Sequence, residues 1–311
     1  MRKILFLLGL VTLIVVAVVG CSASTSELPT EEAVSETGAG EATSVEKSES
    51  ESVELNEIVY EDGYYFAKES TYNENSGWKS TVILKVEGGR IVLADWNGVS
   101  IKAGMTKDEA SKAGFYPMVE NAGAQAPWHE QAMKIENNLL ETQDPKMITY
   151  IDDEGHVDVV TGVSISVSDF YELAQIALAD GPKEMGPYTD GSYFAEEDDF
   201  SKNSGWKETV SITVIFGNIE SVNWNGIHKD GGNDKKTASI KGEYPIVENG
   251  GAQAPWHVQA EKAEAYLIKT QDPLDVALNN DDDHSADVIS GVTIGVGPMY
   301  KLAEKALSSA K

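Results

Sequence analysis

Cysteine is nearly absent from this sequence, which contains a single thiol, Cys21, among 311 residues. One cysteine excludes an intramolecular disulfide, and it excludes an iron–sulfur cluster or haem that several cysteines would hold. A redox function would therefore require a cofactor that is held by groups other than thiols.

Positive charge is also scarce. The chain has 24 Lys and Arg residues against 51 Asp and Glu residues, and its formal net charge is −27 at pH 7. An excess of this size repels phosphate backbones, so we predict no nucleic-acid partner. It also repels anionic lipid headgroups, so association with a membrane would require a covalent anchor.

Several common catalytic patterns are missing from the sequence. It contains no Gly-rich phosphate-binding loop and no His, Asp and Glu set with the spacing of metal ligands. No Ser, His and Asp order favours a catalytic triad. We therefore predict no catalytic residue and no metal site, and we leave open whether the protein is an enzyme.

Residues 1–20 have the pattern of a lipoprotein signal peptide. Arg2 and Lys3 precede an apolar run from Ile4 to Val19, which is short for a membrane span. The run ends at Cys21 in a segment that resembles a lipobox, where cleavage precedes diacylation of the cysteine. Two acyl chains would anchor the protein stably on the extracellular face of the cell membrane. The alternative is a transmembrane anchor with a chance cysteine.

The segment that follows the cysteine cannot build a core. Residues 22–57 contain ten Glu, one Lys and no aromatic residue. Low hydrophobicity combined with an excess of negative charge is typical of a disordered, self-repelling chain. We predict that residues 21–57 form an acidic tether that lifts the folded part off the membrane.

An internal repeat occupies the rest of the chain. Matching segments recur 128 residues apart, and 129 apart near the end of each copy. The repeated segments include 62–67 with 190–195, 76–79 with 204–207, 96–98 with 224–226, 123–129 with 251–257 and 142–145 with 270–273. Chance does not produce such colinear matches. We predict two similar domains, at residues 58–180 and 188–311.

Each copy has an α+β pattern. Alternating apolar residues, a Gly-containing turn and a second apolar run predict a β-hairpin, with turns at Gly88-Gly89 and Gly217-Asn218. A helix is predicted from Pro127, and a terminal helix carries Phe170 and Tyr171 at helical spacing. We expect a twisted antiparallel sheet with packed helices in each copy.

One short motif recurs just before each terminal helix. It runs from Asp158 through Thr161 and Gly162 to Ser164 in the first copy, and from Asp287 through Ser290 and Gly291 to Thr293 in the second copy. This motif resembles that of the FMN-binding domain found in bacterial respiratory subunits. Both copies differ from the family pattern in one position, where Val163 and Val292 replace the usual Ala.

The resemblance implies that FMN is attached covalently, as a phosphoester on the last hydroxyl of the motif. In the family, a flavin transferase that uses FAD and a divalent metal forms this bond. The FMN groups would lie on Ser164 and Thr293, two per chain. Ser is the less common residue at this position, which makes Ser164 the greater departure.

The residue types of the motif suit this attachment. A phosphoester requires an aliphatic hydroxyl, which Ser and Thr supply. Gly162 and Gly291 would let a transferase approach the backbone, and the helix that follows would offer N–H groups to the phosphate. Asp158 and Asp287 would orient the hydroxyl or hold the transfer metal. For a single motif, the alternative is an ordinary turn that caps a helix.

Four further residues are weaker candidates for contact with the flavin. Trp128 and Trp256 are suited to stacking on the ring, or equally to packing in the core. Gln125 and Gln253 are suited to hydrogen bonding with the ring edge. The matched His129 and His257 are expected to be solvated or to cap a helix, and the alternative is that they tune the flavin by their charge.

The whole arrangement of anchor, tether and paired motifs resembles the FMN-binding lipoproteins of flavin-based extracellular electron transfer. That resemblance implies a flavoprotein that receives electrons from the quinone pool through a membrane donor. It would pass them to extracellular acceptors such as ferric iron, with possible ferric reductase activity. The alternative is a non-redox lipoprotein that binds a solute, a peptide or the cell wall.

Overall fold

The computed structural model describes residues 58–278 and 288–311. These residues belong to one compact unit with a mixed α and β composition, and contain two three-stranded antiparallel sheets. The α+β class is thus confirmed, whereas one compact unit does not confirm two separate domains. The predictions for the signal peptide, Cys21, the tether and Asp287 lie outside the described residues.

The first copy builds one sheet and four helices. Its strands pair in the order β1, β2, β3. The elements are β1 (Gly63–Lys68), β2 (Trp78–Glu87), β3 (Arg90–Ser100), α1 (Lys107–Lys112), α2 (Met118–Ala122), α3 (Trp128–Thr142) and α4 (Ser168–Asp180).

The second copy repeats this order with the same strand pairing. Its elements are β4 (Gly191–Glu196), β5 (Trp206–Ile215), β6 (Asn218–His228), α5 (Lys235–Ile240), α6 (Ile246–Gly250), α7 (Trp256–Thr270) and α8 (Gly297–Leu307). The register also repeats, since Gly63 pairs with Val86 and Gly191 pairs with Val214.

Each copy has its own hydrophobic core between the sheet and two helices. In the first copy, Val82 and Leu84 of β2 are fully buried together with Ile135 of α3 and Phe170 of α4. Their alternation along the strand places both β2 side chains on one face, where the helices cover them. The predicted sheet with packed helices is therefore present in each copy.

The second hairpin differs from the sequence prediction at its turn. The strand β5 ends at Ile215, and Phe216 lies in the turn with Gly217 at a φ of 56° instead of continuing the strand. A register shift between Thr213 and Val214 accompanies this change. Phe216 tolerates the left-handed conformation because its ring is buried against the first copy.

Helix α3 begins one residue later than the predicted start. Pro127 has extended backbone and is the N-cap residue, and Trp128 is the first helical residue. Proline suits this boundary because it cannot donate the backbone hydrogen bond that a residue inside the helix would make.

The two copies contact each other through the outer faces of their sheets. The rings of Phe66 and Phe216 stack with centroids 5.0 Å apart. Beside them, Glu220 is buried and receives two hydrogen bonds of 2.7 Å from Lys68, while Lys79 lies 3.6 Å away. This apolar contact and the ion pairs of the buried Glu220 join the copies into one unit.

Candidate functional site

The two predicted attachment hydroxyls occupy equivalent exposed loops. Ser164 lies four residues before α4, and Thr293 lies four residues before α8. Both residues are exposed, as attack by a hydroxyl on a bulky substrate requires. The structure thus places the two hydroxyls in the same local setting, each at the entrance to a helix.

A buried glutamine holds each hydroxyl loop against the preceding helix. Ser164 N–H donates to Oε1 of Gln131 over 2.7 Å, and the Ser164 hydroxyl lies 3.4 Å from the same oxygen. In the second copy, Thr293 N–H and the Thr293 hydroxyl lie 2.6 and 3.2 Å from Oε1 of Gln259. Because a fully buried amide fixes the backbone, the hydroxyl oxygen is oriented before any partner arrives.

The other end of each glutamine is anchored as well. Nε2 of Gln131 donates to the carbonyl of Ala126 over 2.7 Å, and Gln259 repeats this contact with Ala254. Each glutamine therefore ties the segment before its helix to the hydroxyl loop.

The backbone at both motif glycines adopts a conformation that favours glycine over other residues. Gly162 and Gly291 have φ angles of 77° and 73°, in the left-handed region that favours glycine. An added Cβ would lie 2.5 Å from Nζ of Lys134 at Gly162, and 2.5 Å from Nζ of Lys262 at Gly291. Each lysine thus covers the glycine of its motif.

Those lysines place a positive charge at each loop of an otherwise acidic chain. Lys134 donates to the carbonyls of Thr161 and Gly162, both over 3.3 Å, and Lys262 donates to the carbonyl of Gly291 over 3.4 Å. A carbonyl does not neutralise an ammonium group, so each lysine can still attract an anion.

The remaining motif residues divide between core and solvent. Val163 and Val292 are buried in the cores of their copies, which explains an apolar side chain larger than Ala at this position. Asp158, Thr161 and Ser290 are exposed.

An open cavity of about 510 Å³ adjoins Thr293. Its lining includes Thr293, Ile294, Glu208, Tyr244 and Trp256. A hydroxyl, aromatic rings and charged groups therefore surround one open cavity.

Both predicted tryptophans are buried. Trp128 packs edge to face against Trp96 with centroids 5.3 Å apart, and Trp256 packs against Trp224 with centroids 4.9 Å apart. This is the core-packing interpretation, although Trp256 also lines the cavity beside Thr293. A lysine lies over each ring, with Lys107 Nζ 4.7 Å from the Trp128 centroid and Lys235 Nζ 4.5 Å from the Trp256 centroid.

The two copies differ beside these lysines. In the second copy, Glu208 binds Lys235 over 2.6 Å and accepts a hydrogen bond of 2.5 Å from the indole N–H of Trp224. The corresponding residue in the first copy is Ser80, which has no carboxylate. The carboxylate that bridges a lysine and an indole in one copy is thus missing from the other.

In the first copy, burial of the Lys107 ammonium group lowers its pKa to about 8, and the negative charges of Asp169 and Glu69 partly oppose this shift. The indole N–H of Trp96 is buried and makes no hydrogen bond within the described part of the chain. Two donors that Glu208 satisfies in the second copy are therefore poorly satisfied in the first.

The other candidates have simpler roles. Gln125 and Gln253 are exposed, at the approach to α3 and α7. The Nδ1 atoms of His129 and His257 lie 2.9 Å from the hydroxyls of Ser111 and Ser239 respectively. These two histidines thus join short helices α1 and α5 to α3 and α7.

Neither a metal centre nor a membrane span occurs in the described ranges. Residues 58–278 and 288–311 contain no group of three or more His, Cys, Asp or Glu residues that could hold a metal ion. No helix in the same ranges has the length and apolar character needed to cross a bilayer.

Sequence reasoning missed the glutamines and lysines that support the hydroxyl loops. Gln131 and Lys134 recur as Gln259 and Lys262 at the offset of 128 residues, so the repeat carried a signal for them. They were hidden because they lie inside a helix, more than 25 residues from the motif that they contact.

No protein-family model and no curated protein matches this sequence. A solution NMR structure of a protein from Clostridium thermocellum is 57% identical over 39% of this chain and 90% of that chain, with a TM-score of 0.31. A crystal structure of a protein from Clostridium perfringens is 25% identical over 40% of this chain and 88% of that chain, also with a TM-score of 0.31.

Proposed function

We propose that this protein is an extracellular, lipid-anchored electron carrier with FMN bound covalently to Ser164 and Thr293. The observation that carries the proposal is the duplicated attachment loop. Each copy presents an exposed hydroxyl on a buried glutamine, behind a left-handed glycine that a lysine covers. If each hydroxyl only capped its helix, the hydroxyl would have to recur in both copies. The glycine and the lysine would not have to recur with it.

The surroundings of Thr293 suit an FMN group in charge and in size. Lys262 would offset the negative phosphodiester, which the acidic chain would otherwise repel. The cavity of about 510 Å³ beside Thr293 falls within the range of small-molecule sites, and the half-buried Tyr244 is the aromatic ring that it offers to a flat ligand, since Trp256 is buried beneath Lys235. The bound flavin would supply the redox chemistry, and the chain would bind and orient it.

Attachment from FAD balances without a further redox partner. The Ser164 or Thr293 oxygen would form a new bond to the FMN phosphorus, and the pyrophosphate bond of FAD would break. AMP would leave with the cleaved oxygen, and the hydroxyl proton would pass to a base. Because Gln131 and Gln259 carry neutral amides, we assign that base and the divalent metal to the transferase.

The proposed position outside the cell would make a covalent bond useful. A cofactor held at micromolar affinity dissociates when the surrounding free concentration falls well below its dissociation constant. The membrane donor, the quinone pool and the ferric acceptor complete the proposed relay, in which the protein is a carrier with possible ferric reductase activity.

The proposal is tested by mass and colour. Protein coexpressed with a flavin transferase should stay yellow after denaturation, and its intact mass should rise by two FMN groups less two waters. Ser164→Ala and Thr293→Ala should each remove one group. Ser166→Ala is the matched control, because Ser166 is an exposed serine in the same loop and should change nothing. A colourless protein of unmodified mass would refute flavin attachment and favour the non-redox binding lipoprotein.

A further inference from the structure

The second copy contains a bridge that the first copy lacks. Glu208 Oε1 binds Lys235 over 2.6 Å, and Glu208 Oε2 accepts from Trp224 Nε1 over 2.5 Å. One carboxylate therefore serves an ammonium group and a buried indole N–H together. Such charge-assisted hydrogen bonds are among the stronger polar contacts in proteins.

The first copy retains both donors of that bridge. Lys107 lies over Trp128 as Lys235 lies over Trp256, and Trp96 packs on Trp128 as Trp224 packs on Trp256. Trp96 is only 3% exposed, and its Nε1 has no hydrogen-bond partner among the described residues. An indole N–H buried in this way costs free energy until an acceptor reaches it.

The acceptor is missing because Ser80 replaces Glu208. A serine ends at Oγ, where glutamate continues through Cγ to a carboxylate, so the group removed is equivalent to a formate ion. Glu208 itself lines the cavity beside Thr293, which shows that a carboxylate in this position can be reached from solvent. In the first copy, the residues at the positions equivalent to Glu208, Trp224 and Lys235 are Ser80, Trp96 and Lys107.

We propose that the first copy has a binding site for a small carboxylate anion, formed by Lys107, Trp96 and Ser80. The ligand takes the place that the Glu208 carboxylate fills in the second copy. One oxygen accepts from the Trp96 indole N–H, and the other pairs with the Lys107 ammonium group. The strong negative charge of the whole chain favours a small monoanion over an acidic polymer. The site does not depend on flavin attachment.

Two carboxylates of the first copy bear on the site. Asp169 Oδ2 lies 3.5 Å from the Ser80 hydroxyl, and Glu69 accepts a hydrogen bond of 2.5 Å from Ser80 N–H. Neither makes an ion pair with Lys107 in the described structure, so both act on it only at longer range. They weaken the attraction for an anion, but they leave the Trp96 indole without an acceptor.

The test is a titration with formate of protein that is prepared without a flavin transferase. The indole N–H signals in NMR spectra report binding, and chloride is the balancing anion that keeps the ionic strength constant. The Trp96 signal should shift saturably, whereas the Trp224 signal should stay unchanged. Ser80→Glu should weaken formate binding at Trp96 at least tenfold, because the chain then supplies its own carboxylate. Glu208→Ser should create the same response at Trp224.

The reciprocal variants make the outcome decisive. A Trp96 signal that does not move, or that moves equally in Ser80→Glu, would overturn the site. A response that appears only in Asp169→Asn would also overturn it, since Asp169 would then be the resident acceptor. None of these results bears on whether FMN is attached, which the mass measurement decides separately.

Discussion

At Gly291 the backbone adopts a conformation that an L-residue with a side chain resists. Gly291→Ala should lower the free energy of unfolding by about 1 kcal/mol, because the φ of 73° is strained for alanine. Lys262→Ala should not restore the loss in the double variant, since the lysine end is flexible and only the backbone strain remains. Urea denaturation measures both effects.

Gly250→Ala is the matched control for this substitution. Gly250 is helical, and an added Cβ there would meet no atom within 4 Å. Alanine favours a helix over glycine, so this variant should be neutral or slightly more stable. Equal destabilisation by the two substitutions would contradict the role given to the Gly291 backbone.

The glutamine beneath each hydroxyl supports a second prediction. Gln259→Leu should destabilise the protein by roughly 1–3 kcal/mol, because Thr293 N–H and the Ala254 carbonyl lose their partner. It should also lower flavin attachment at Thr293, where the hydroxyl is no longer oriented. Peptide mass analysis of the flavinylated protein reports each site separately.

Attachment at Ser164 is the internal control for that variant, since Gln131 remains in place. Full attachment at Thr293 in Gln259→Leu would show that the glutamine has only a structural role. Loss at both hydroxyls would instead indicate general unfolding, which the denaturation curve detects.

Helices α1 and α5 give their copies different electrostatic surroundings. Glu136 accepts a hydrogen bond from the backbone N–H of Trp96 in the first copy, and Glu264 accepts one from the backbone N–H of Trp224 in the second. Lys236 of α5 pairs with Glu264 over 2.7 Å, but Asp108 of α1 occupies the equivalent position in the first copy. Burial, with added repulsion from Asp95 and Asp108, raises the pKa of Glu136 to about 7.

This difference predicts a pH dependence of stability. A carboxyl whose pKa is raised in the folded state keeps its proton there while the unfolded chain has lost it. Stability contributed by Glu136 should therefore be present at low pH and fall as pH rises from about 4.5 to about 7. Asp95, with a pKa raised to about 6 by burial and by Asp108, should act in the same direction.

Asp108→Lys should reverse this effect by copying the second repeat. The new ammonium group would pair with Glu136 as Lys236 pairs with Glu264, so the free energy of unfolding at pH 7 should rise and its decline above pH 4.5 should flatten. Thermal denaturation across pH 4–8 provides the measurement. An unchanged pH profile in Asp108→Lys would show that Asp108 does not influence Glu136. Asp108→Asn removes the repulsion from Asp108 without adding a positive charge, so it separates the effect of lost repulsion from that of the new ion pair.

Across the whole molecule, the stacked rings of Phe66 and Phe216 connect the two copies. Each single substitution to Ala should destabilise by roughly 3–5 kcal/mol through the loss of a buried aromatic ring. The double-mutant cycle should give a coupling free energy of roughly 0.5–1.5 kcal/mol, the range for an aromatic pair. Unfolding by urea should stay a single transition in the native chain.

Phe170→Ala is the comparison for this cycle, since Phe170 is buried within the core of the first copy alone. It should show much weaker coupling to Phe216→Ala. Strictly additive effects of Phe66→Ala and Phe216→Ala would mean that the stacked contact does not couple the copies.

Much of this fold could be predicted because its determinants are local. Apolar residues alternate around Val82 and Leu84 with the two-residue period of a strand. They recur around Ile135 with the helical period of about 3.6 residues. Each of these patterns occurs in both copies of the repeat, which supports its assignment twice. The Phe216 turn escaped prediction because an apolar residue extends the strand pattern, while burial against Phe66 fixes its actual position.

The sequence by itself determined the duplicated α+β module, the position of each hydroxyl and the charge of the chain, since these depend on residue type and local spacing. Only the tertiary structure decided what supports those hydroxyls. Gln131 and Ser164 are 33 residues apart, and the first copy has Ser80 where the second has the bridging carboxylate of Glu208, at a position distant along the chain from both Lys107 and Trp96. Such contacts arise when helices and strands pack, because packing joins residues that chain periodicity does not relate.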